Sequence, residues 1–278
     1  MEHSEILCET MIDNQPVRIV KNPLSSIDGS RPFIGQKINH PFAMKHVDGV
    51  ETWWDRKKNK QVTKKTKELA YDNRFISEEA DNDVRDADRI ELKHDGQCGY
   101  IKYENGNLIP FTRYDVKRDE SGKFKNPPPN SFPCEPEPQT DDATHWPHMV
   151  PLSNDPKAYK HNLSAFDIAS KSGKLSKIKC SFTCEYMGLK FNHRSTDPFQ
   201  LDGVIVPHGL ITLEIPKELR THDGMMKIMQ AFPFIEGMVI YGKQNVWKIR
   251  RDMFYCDSKK LQWPTSEVRA LSSQVALV

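Results

Sequence analysis

A chain of 278 residues is long enough for one large domain, or for a domain with a small extension. Charged residues make up 28% of it, yet the net charge is only +2, so a polyanion partner is announced by local clusters of charge or not at all. A hydrophobic fraction of 37% and a mean hydropathy of −0.67 fit a polar globular protein. No apolar run reaches membrane-spanning length, and Met1-Glu2-His3-Ser4-Glu5 does not read as a signal peptide. The expectation is a soluble intracellular monomer with no membrane partner.

Residues 1–50 hold turns and short apolar pieces such as Pro32-Phe33-Ile34, and no motif. They are set apart as an N-terminal extension of unknown role ahead of a domain over residues 51–278. A basic run follows, in which Lys57, Lys58, Lys60, Lys64 and Lys65 crowd a short stretch beside Trp53 and Trp54. Cations next to aromatics suit an RNA phosphate backbone; a solvated helix face fits the same residues equally well. Acidic residues dominate Glu78 to Asp88, which reads as a loop or a helix end.

Ile90 to Arg113 reads as β structure. Asn105-Gly106 is a strong two-residue hairpin signal, and Leu108-Ile109-Pro110-Phe111 returns as the partner strand. Lys93-His94-Asp95-Gly96 stands just before this hairpin, and Phe111, Arg113 and Asp115 alternate onto one face of the returning strand. The prolines from Pro127 to Pro138 predict an irregular surface insertion. Short strands are expected over Ile178–Tyr186, Val204–Pro207 and Leu210–Ile215, and a helix over Lys217–Ala231, with its methionines in the core. Met238–Tyr241 and Val246–Arg250 form a last hairpin around Gly242. Alternation there puts Lys248 and Arg250 on one face, and two adjacent cations are most easily tolerated under an anion.

Six cysteines are scattered, with Cys180 and Cys184 the one close pair. A second pair at zinc spacing is missing and His193 alone does not complete four ligands, so free thiols are expected.

Four pieces now stand in order: Lys93-His94-Asp95-Gly96, Glu185-Tyr186-Met187-Gly188, Ile235-Glu236-Gly237 and Trp247-Lys248-Ile249-Arg250, the last two acting residues 12 positions apart. Together with Glu91-Leu92, Arg113-Tyr114-Asp115, Val206-Pro207-His208-Gly209 and Gln262-Trp263-Pro264, this order resembles the 5′-to-3′ RNA ligase 1 family of covalent nucleotidyltransferases. The resemblance spans roughly residues 90–264, and no feature of the first 50 residues shares in it.

The resemblance implies an α+β nucleotidyltransferase (adenylation) fold: two packed, mainly antiparallel sheets with flanking helices and an ATP cleft between them. Only 30 residues follow Lys248, too few for the oligonucleotide-binding barrel that DNA ligases and capping enzymes carry after this core, so no C-terminal barrel is expected. The implied reaction joins the 3′-hydroxyl and 5′-phosphate ends of RNA, using ATP and Mg²⁺ or Mn²⁺. Lys93 would be the nucleophile that carries AMP, with Lys248 as its catalytic partner. Glu91, Asp95, Arg113, Glu185, Glu236, Arg250 and His208 would surround the nucleotide, with Glu185 and Glu236 on the metal side.

The chemistry asks for these residue types. A free lysine has a pKa of about 10.4 and is protonated at neutral pH, so a nucleophilic lysine needs burial or a cationic neighbour such as Lys248. Lys248 and Arg250 would stabilise charge building on the α-phosphate, and carboxylates suit a hard cation. Arg250 stands where the family's last motif repeats its lysine. Two other functions stay open: a GTP-dependent capping guanylyltransferase, which shares the first motif, and a non-catalytic RNA-binding protein built on the basic run.

Overall fold

The computed structural model describes residues 3–27, 35–55, 57, 59–140, 143–188, 190–191, 203–256 and 259–262. The pieces Pro32-Phe33-Ile34, Lys58, His193 and Trp263-Pro264 lie outside them.

The chain opens with a hairpin, β1 (Glu5–Ile12) and β2 (Gln15–Lys21). Its two-residue turn, Asp13-Asn14, takes positive φ at both positions (48° and 61°), the twist that tight antiparallel hairpins require. A long hairpin follows, β3 (Phe42–Asp55) and β4 (Lys60–Phe75), in antiparallel register from Phe42↔Phe75 to Asp55↔Lys60. The basic run is therefore the distal part of a β-ribbon and not a helix face. Val62, Thr63 and Thr66 favour a strand there.

Helix α1 (Glu78–Arg85) is capped by the Ser77 hydroxyl, which accepts from Ala80 N–H at 3.1 Å; Glu78, Glu79 and Asp81 face its positive end. The central strands come next: β5 (Arg89–Lys93), β6 (Gln97–Glu104) and β7 (Asn107–Lys117). Asn105 and Gly106 make the turn between β6 and β7 with φ of 50° and 81°. The proline-rich stretch stays irregular apart from the short β8 (Phe132–Pro133), which pairs with β9 (His145–Pro151). Arg118 holds this loop, donating to the carbonyls of Gly122, Thr140 and Ala143.

Helix α2 (Lys160–Lys171) packs against β7 and against β11 (Val204–Pro207), which follows β10 (Phe182–Met187). Then come β12 (Ile211–Glu214), helix α3 (His222–Ala231), the hairpin β13 (Gly237–Tyr241) and β14 (Val246–Arg250), and the small pair β15 (Tyr255–Cys256) and β16 (Lys259–Lys260). The expected helix over Lys217–Ala231 is split: Lys217–Leu219 is a 3₁₀ turn, and α3 starts afresh at a Thr221 cap.

Two six-stranded sheets result, ordered β1-β2-β12-β5-β13-β14 and β11-β10-β6-β7-β9-β8, and every named strand pairing is antiparallel. The architecture is α+β, mostly antiparallel sheet with few helices. One buried cluster joins the sheets, with Ile90, Leu92 and Met238 from the first and Ile101, Cys184 and Val206 from the second. Residues 1–50 do not stand apart: β1 and β2 are two strands of the sheet that carries Lys93, and Val17, Ile19 and Val20 are buried in the core. No helix among the described residues is long and apolar enough to cross a membrane.

Candidate active site

Between the two sheets lies a cleft of about 710 Å³, within the range of small-molecule sites. Its floor is set by register. Across β5, β13 and β14, Lys93 sits opposite Gly237 and Gly237 opposite Arg250; one pleat along, Glu91 sits opposite Val239 and Val239 opposite Lys248. Period-two alternation thus places Glu91, Lys93, Lys248 and Arg250 on one face. A side chain at Gly237 would run into the Ile249 carbonyl.

The roof comes from the second sheet. Cys98 faces Glu185 in the β6–β10 pairing, and Arg113 and Asp115 project from β7, bonded to each other at 3.0 Å. His208, just past β11, shares a hydrogen bond with the Thr183 hydroxyl at 2.9 Å and approaches the Glu185 carboxylate at 3.3 Å. Gly96 closes the corner: any Cβ there would collide with the Tyr186 carbonyl and press on the Glu185 side chain. The Gly of Lys-x-Asp-Gly is therefore required by the close approach of the β5–β6 turn to β10.

Lys93 and Glu236 form the central pair. Lys93 Nζ donates to Glu236 Oε1 at 2.6 Å, with the lysine side chain 25% exposed and the carboxylate 8%. Burial is the largest influence on both and disfavours both charges. For Glu236 burial wins over the attraction of Lys93, and its pKa rises to about 7. For Lys93 burial is overcome by Glu236, Glu185 and Asp95, and its pKa lies above the ordinary lysine value. The two shifts pull against each other, since one favours a charged and the other a neutral pair. The ammonium form of Lys93 is the resting one, because three carboxylates surround it. Lys248 goes the opposite way: burial first, then Lys93, Arg250 and Arg113, push its pKa down.

Lys93, Lys248, Glu91, Arg113, Glu185 and His208 all line the cleft. Asp95 and Glu236 stand beside Lys93. Glu91 is buried and engaged by Arg89 at 3.1 Å. Arg250 is close enough to depress Lys248, but its guanidinium bonds Asp252 at 2.6 Å. Lys57, Lys60, Lys64 and Lys65 do not line the cleft; they lie out on the β3–β4 ribbon. Cys180 donates to the Ile27 carbonyl at 3.2 Å, and Cys184 is buried in the sheet.

Several residues that shape the site carry no motif. Gly35 to His40 form a strap across the cleft wall. Lys37 N–H donates to Glu135 beside the second sheet at 3.4 Å, and the Asn39 carbonyl accepts from Lys248 N–H in the first at 2.9 Å. His40 also hydrogen-bonds the Lys248 main chain; burial, then Lys248 and Arg250, hold its pKa down at about 4, so the ring is neutral. His40 Nδ1 shares a 2.6 Å hydrogen bond with the buried Tyr71 hydroxyl, and that hydroxyl accepts from Arg250 N–H at 3.0 Å. The strand with both cations is thus clamped through His40 and Tyr71. Its far end is tied to α1 by buried Asp83, which accepts from Gln244 N–H, Asn245 N–H and Trp247 Nε1 at 3.0–3.1 Å. The partners lie 31 to 179 positions apart, so no local signal announces them.

Glu236 Oε2 and Gln36 Oε1 belong to the buried side-chain atoms with no hydrogen-bond partner among the described residues. Such atoms are few in folded proteins, and water, an ion or a ligand can supply the partner. No group of three His, Cys, Asp or Glu side chains among the described residues is arranged to hold a metal ion. Chemically, the cleft offers a buried ammonium in contact with a buried carboxyl group, and cations from both walls. That is a setting that attracts an anion. No family model, no curated protein and no solved structure matches this chain.

Proposed function

We propose that the chain is an ATP-dependent RNA ligase of the nucleotidyltransferase fold, joining a 3′-hydroxyl to a 5′-phosphate. The observation that carries this reading is the Lys93–Glu236 pair, 2.6 Å apart in a cleft that Lys248 and Arg113 also line. In the first step Lys93 Nζ, an ammonium at rest, loses one proton to become the free amine and attacks the α-phosphorus of ATP; a P–N bond forms, the bond to pyrophosphate breaks, and Nζ loses its second proton. Glu236 Oε1, in hydrogen-bond contact with Nζ, is placed to take the first of these protons, and solvent takes the second. Lys248 and Arg113 stabilise the charge gathering on the phosphate oxygens. In the second step an oxygen of the RNA 5′-phosphate attacks the same phosphorus; the P–N bond breaks and AMP passes to the RNA. In the third, the RNA 3′-hydroxyl attacks the activated 5′-phosphate and AMP leaves.

Glu185 and Glu236 would hold a Mg²⁺ or Mn²⁺ ion, since such hard cations need only one or two carboxylates from the protein. The partnerless Glu236 Oε2 supports this assignment, and the ion would supply charge neutralisation at phosphorus. Glu91 and His208 complete the nucleotide's surroundings, Asp95 stands beside Lys93, and Arg250, bonded to Asp252, adds positive charge beside Lys248.

The experiment is end joining. A 5′-phosphorylated RNA with a free 3′-hydroxyl should be sealed with ATP and Mg²⁺ or Mn²⁺, and an all-DNA nick should be sealed poorly. Equal rates on the two substrates, or sealing with GTP in preference to ATP, would overturn the assignment.

A further inference from the structure

The β3–β4 ribbon stands apart from both six-stranded sheets. Its strands run 14 and 16 residues, on the order of 45 Å of extended chain. A lone two-stranded hairpin is marginally stable in water, so a long one kept free of other strands has a use for its surfaces. Between residues 51 and 67 the sequence holds seven Lys or Arg against two carboxylates, although the chain as a whole is almost neutral.

Register divides this ribbon into two unlike faces. Met44, His46, Asp48 and Trp54 share one face with Lys65, Lys67 and Leu69, since Trp54 opposes Gln61, Asp48 opposes Lys67 and His46 opposes Leu69. This face is open: Trp54 is 60% exposed, Leu69 48% and Met44 38%. The other face carries Lys60 and Lys64 at its tip. Nearer the root it is covered, because Glu68 is bridged to Lys260 of β16 at 2.7 Å, and the Tyr255 hydroxyl of β15 bonds the Asp48 carbonyl. At the root, Tyr71 bonds His40 and Arg250 in the cleft wall, so the ribbon runs from solvent directly to the candidate active site.

We infer that the open face is a track for single-stranded RNA, which leads the end to be joined into the cleft. Proteins that hold single strands combine cations that follow the phosphates with exposed aromatics on which bases stack. The open face offers the ring of Trp54 beside Lys65 and beside Lys67, which a phosphate would have to draw from its 2.8 Å bridge to Asp48. A paired helix hides its bases, so Trp54 would find no partner in a duplex. This inference rests on the ligase reading for the identity of the strand, but its binding step is measurable without catalysis.

The test uses the full chain in two independent assays: affinity for a 12-nucleotide single-stranded RNA at several salt concentrations, and covalent labelling by ATP without RNA. Trp54→Ala should lower RNA affinity about 10-fold. Lys65→Gln with Lys67→Gln should lower it too, and should flatten the salt slope by about 0.7 for each phosphate contact removed. The pair Lys60→Gln with Lys64→Gln, on the opposite face, should do markedly less. All three should label with ATP as the wild type does. Unchanged RNA affinity in the open-face variants, equal losses from both faces, or equal affinity for blunt duplex RNA would overturn the track. A wild type that binds RNA through this face but takes no label from ATP would instead overturn the ligase reading alone.

Discussion

The cleft and the ribbon both depend on lysine, and they use it in opposite ways. In the cleft, Lys93 touches a buried carboxylate, and Lys248 is hemmed in by Lys93, Arg250 and Arg113, which lower its proton affinity. On the ribbon, Lys60, Lys64 and Lys65 are exposed. A charge that is buried and coupled does one thing that its neighbours cannot replace. Exposed charges add up, screened by salt, and each is worth little alone. Substitutions in the two regions should therefore differ in size and also in the step they affect.

The largest effects belong to the cleft. Lys248→Ala and Glu185→Ala should each lower ATP labelling and ligation by about 100-fold or more, the scale for removing one group that stabilises transition-state charge. Circular dichroism should find both variants folded, because neither side chain belongs to the buried core. Labelling within a few-fold of wild type in either variant would put that residue outside the chemistry and blur the contrast with the ribbon.

Effects of middle size belong to the seam where the ribbon meets the cleft. Tyr71→Phe removes one oxygen, freeing His40 and leaving Arg250 N–H without an acceptor. A buried donor so orphaned costs about 1–3 kcal/mol, and denaturant titration should find a loss in that range. ATP labelling should also slow, by about 10-fold, because Lys248 loses part of its clamp. His40 adds a pH signature. Its folded pKa, about 4, lies below the ordinary histidine value, so the unfolded chain binds the extra proton first as pH falls. The stability contributed by neutral His40 is whole above about pH 6.5 and drains away down to about pH 4. Stability curves of wild type and His40→Asn should converge across that window; parallel curves would remove His40 from the clamp. The smallest effects on labelling belong to Trp54, Lys65 and Lys67, whose loss should be visible only when RNA is present.

How much of this was legible in the sequence follows from the range of the interactions. The β6–β7 turn, the β13–β14 hairpin and the shared face of Lys248 and Arg250 are local, and Asn105-Gly106 and strand alternation announced them. Lys93, Glu185, Glu236 and Lys248 were singled out because their order resembles that of the covalent nucleotidyltransferases, and the fold gathers them about one cleft. The β1–β2 hairpin was passed over because its place is fixed by β12, which pairs Val20 with Thr212 across most of the chain. His40 and Tyr71 were missed for the same reason. The basic run was read as a helix face or a polyanion site. Its lysines fit helical spacing, and the strand preference of Val62, Thr63 and Thr66 was outweighed by their charge.

The central claim is that Lys93 carries a nucleotide. The protein should be incubated with ATP and Mg²⁺ or Mn²⁺, without RNA, and its intact mass and peptides measured. One AMP on Lys93, absent in Lys93→Ala, is the expected result. AMP on another residue, label taken from GTP in preference to ATP, or no covalent nucleotide at all would contradict it.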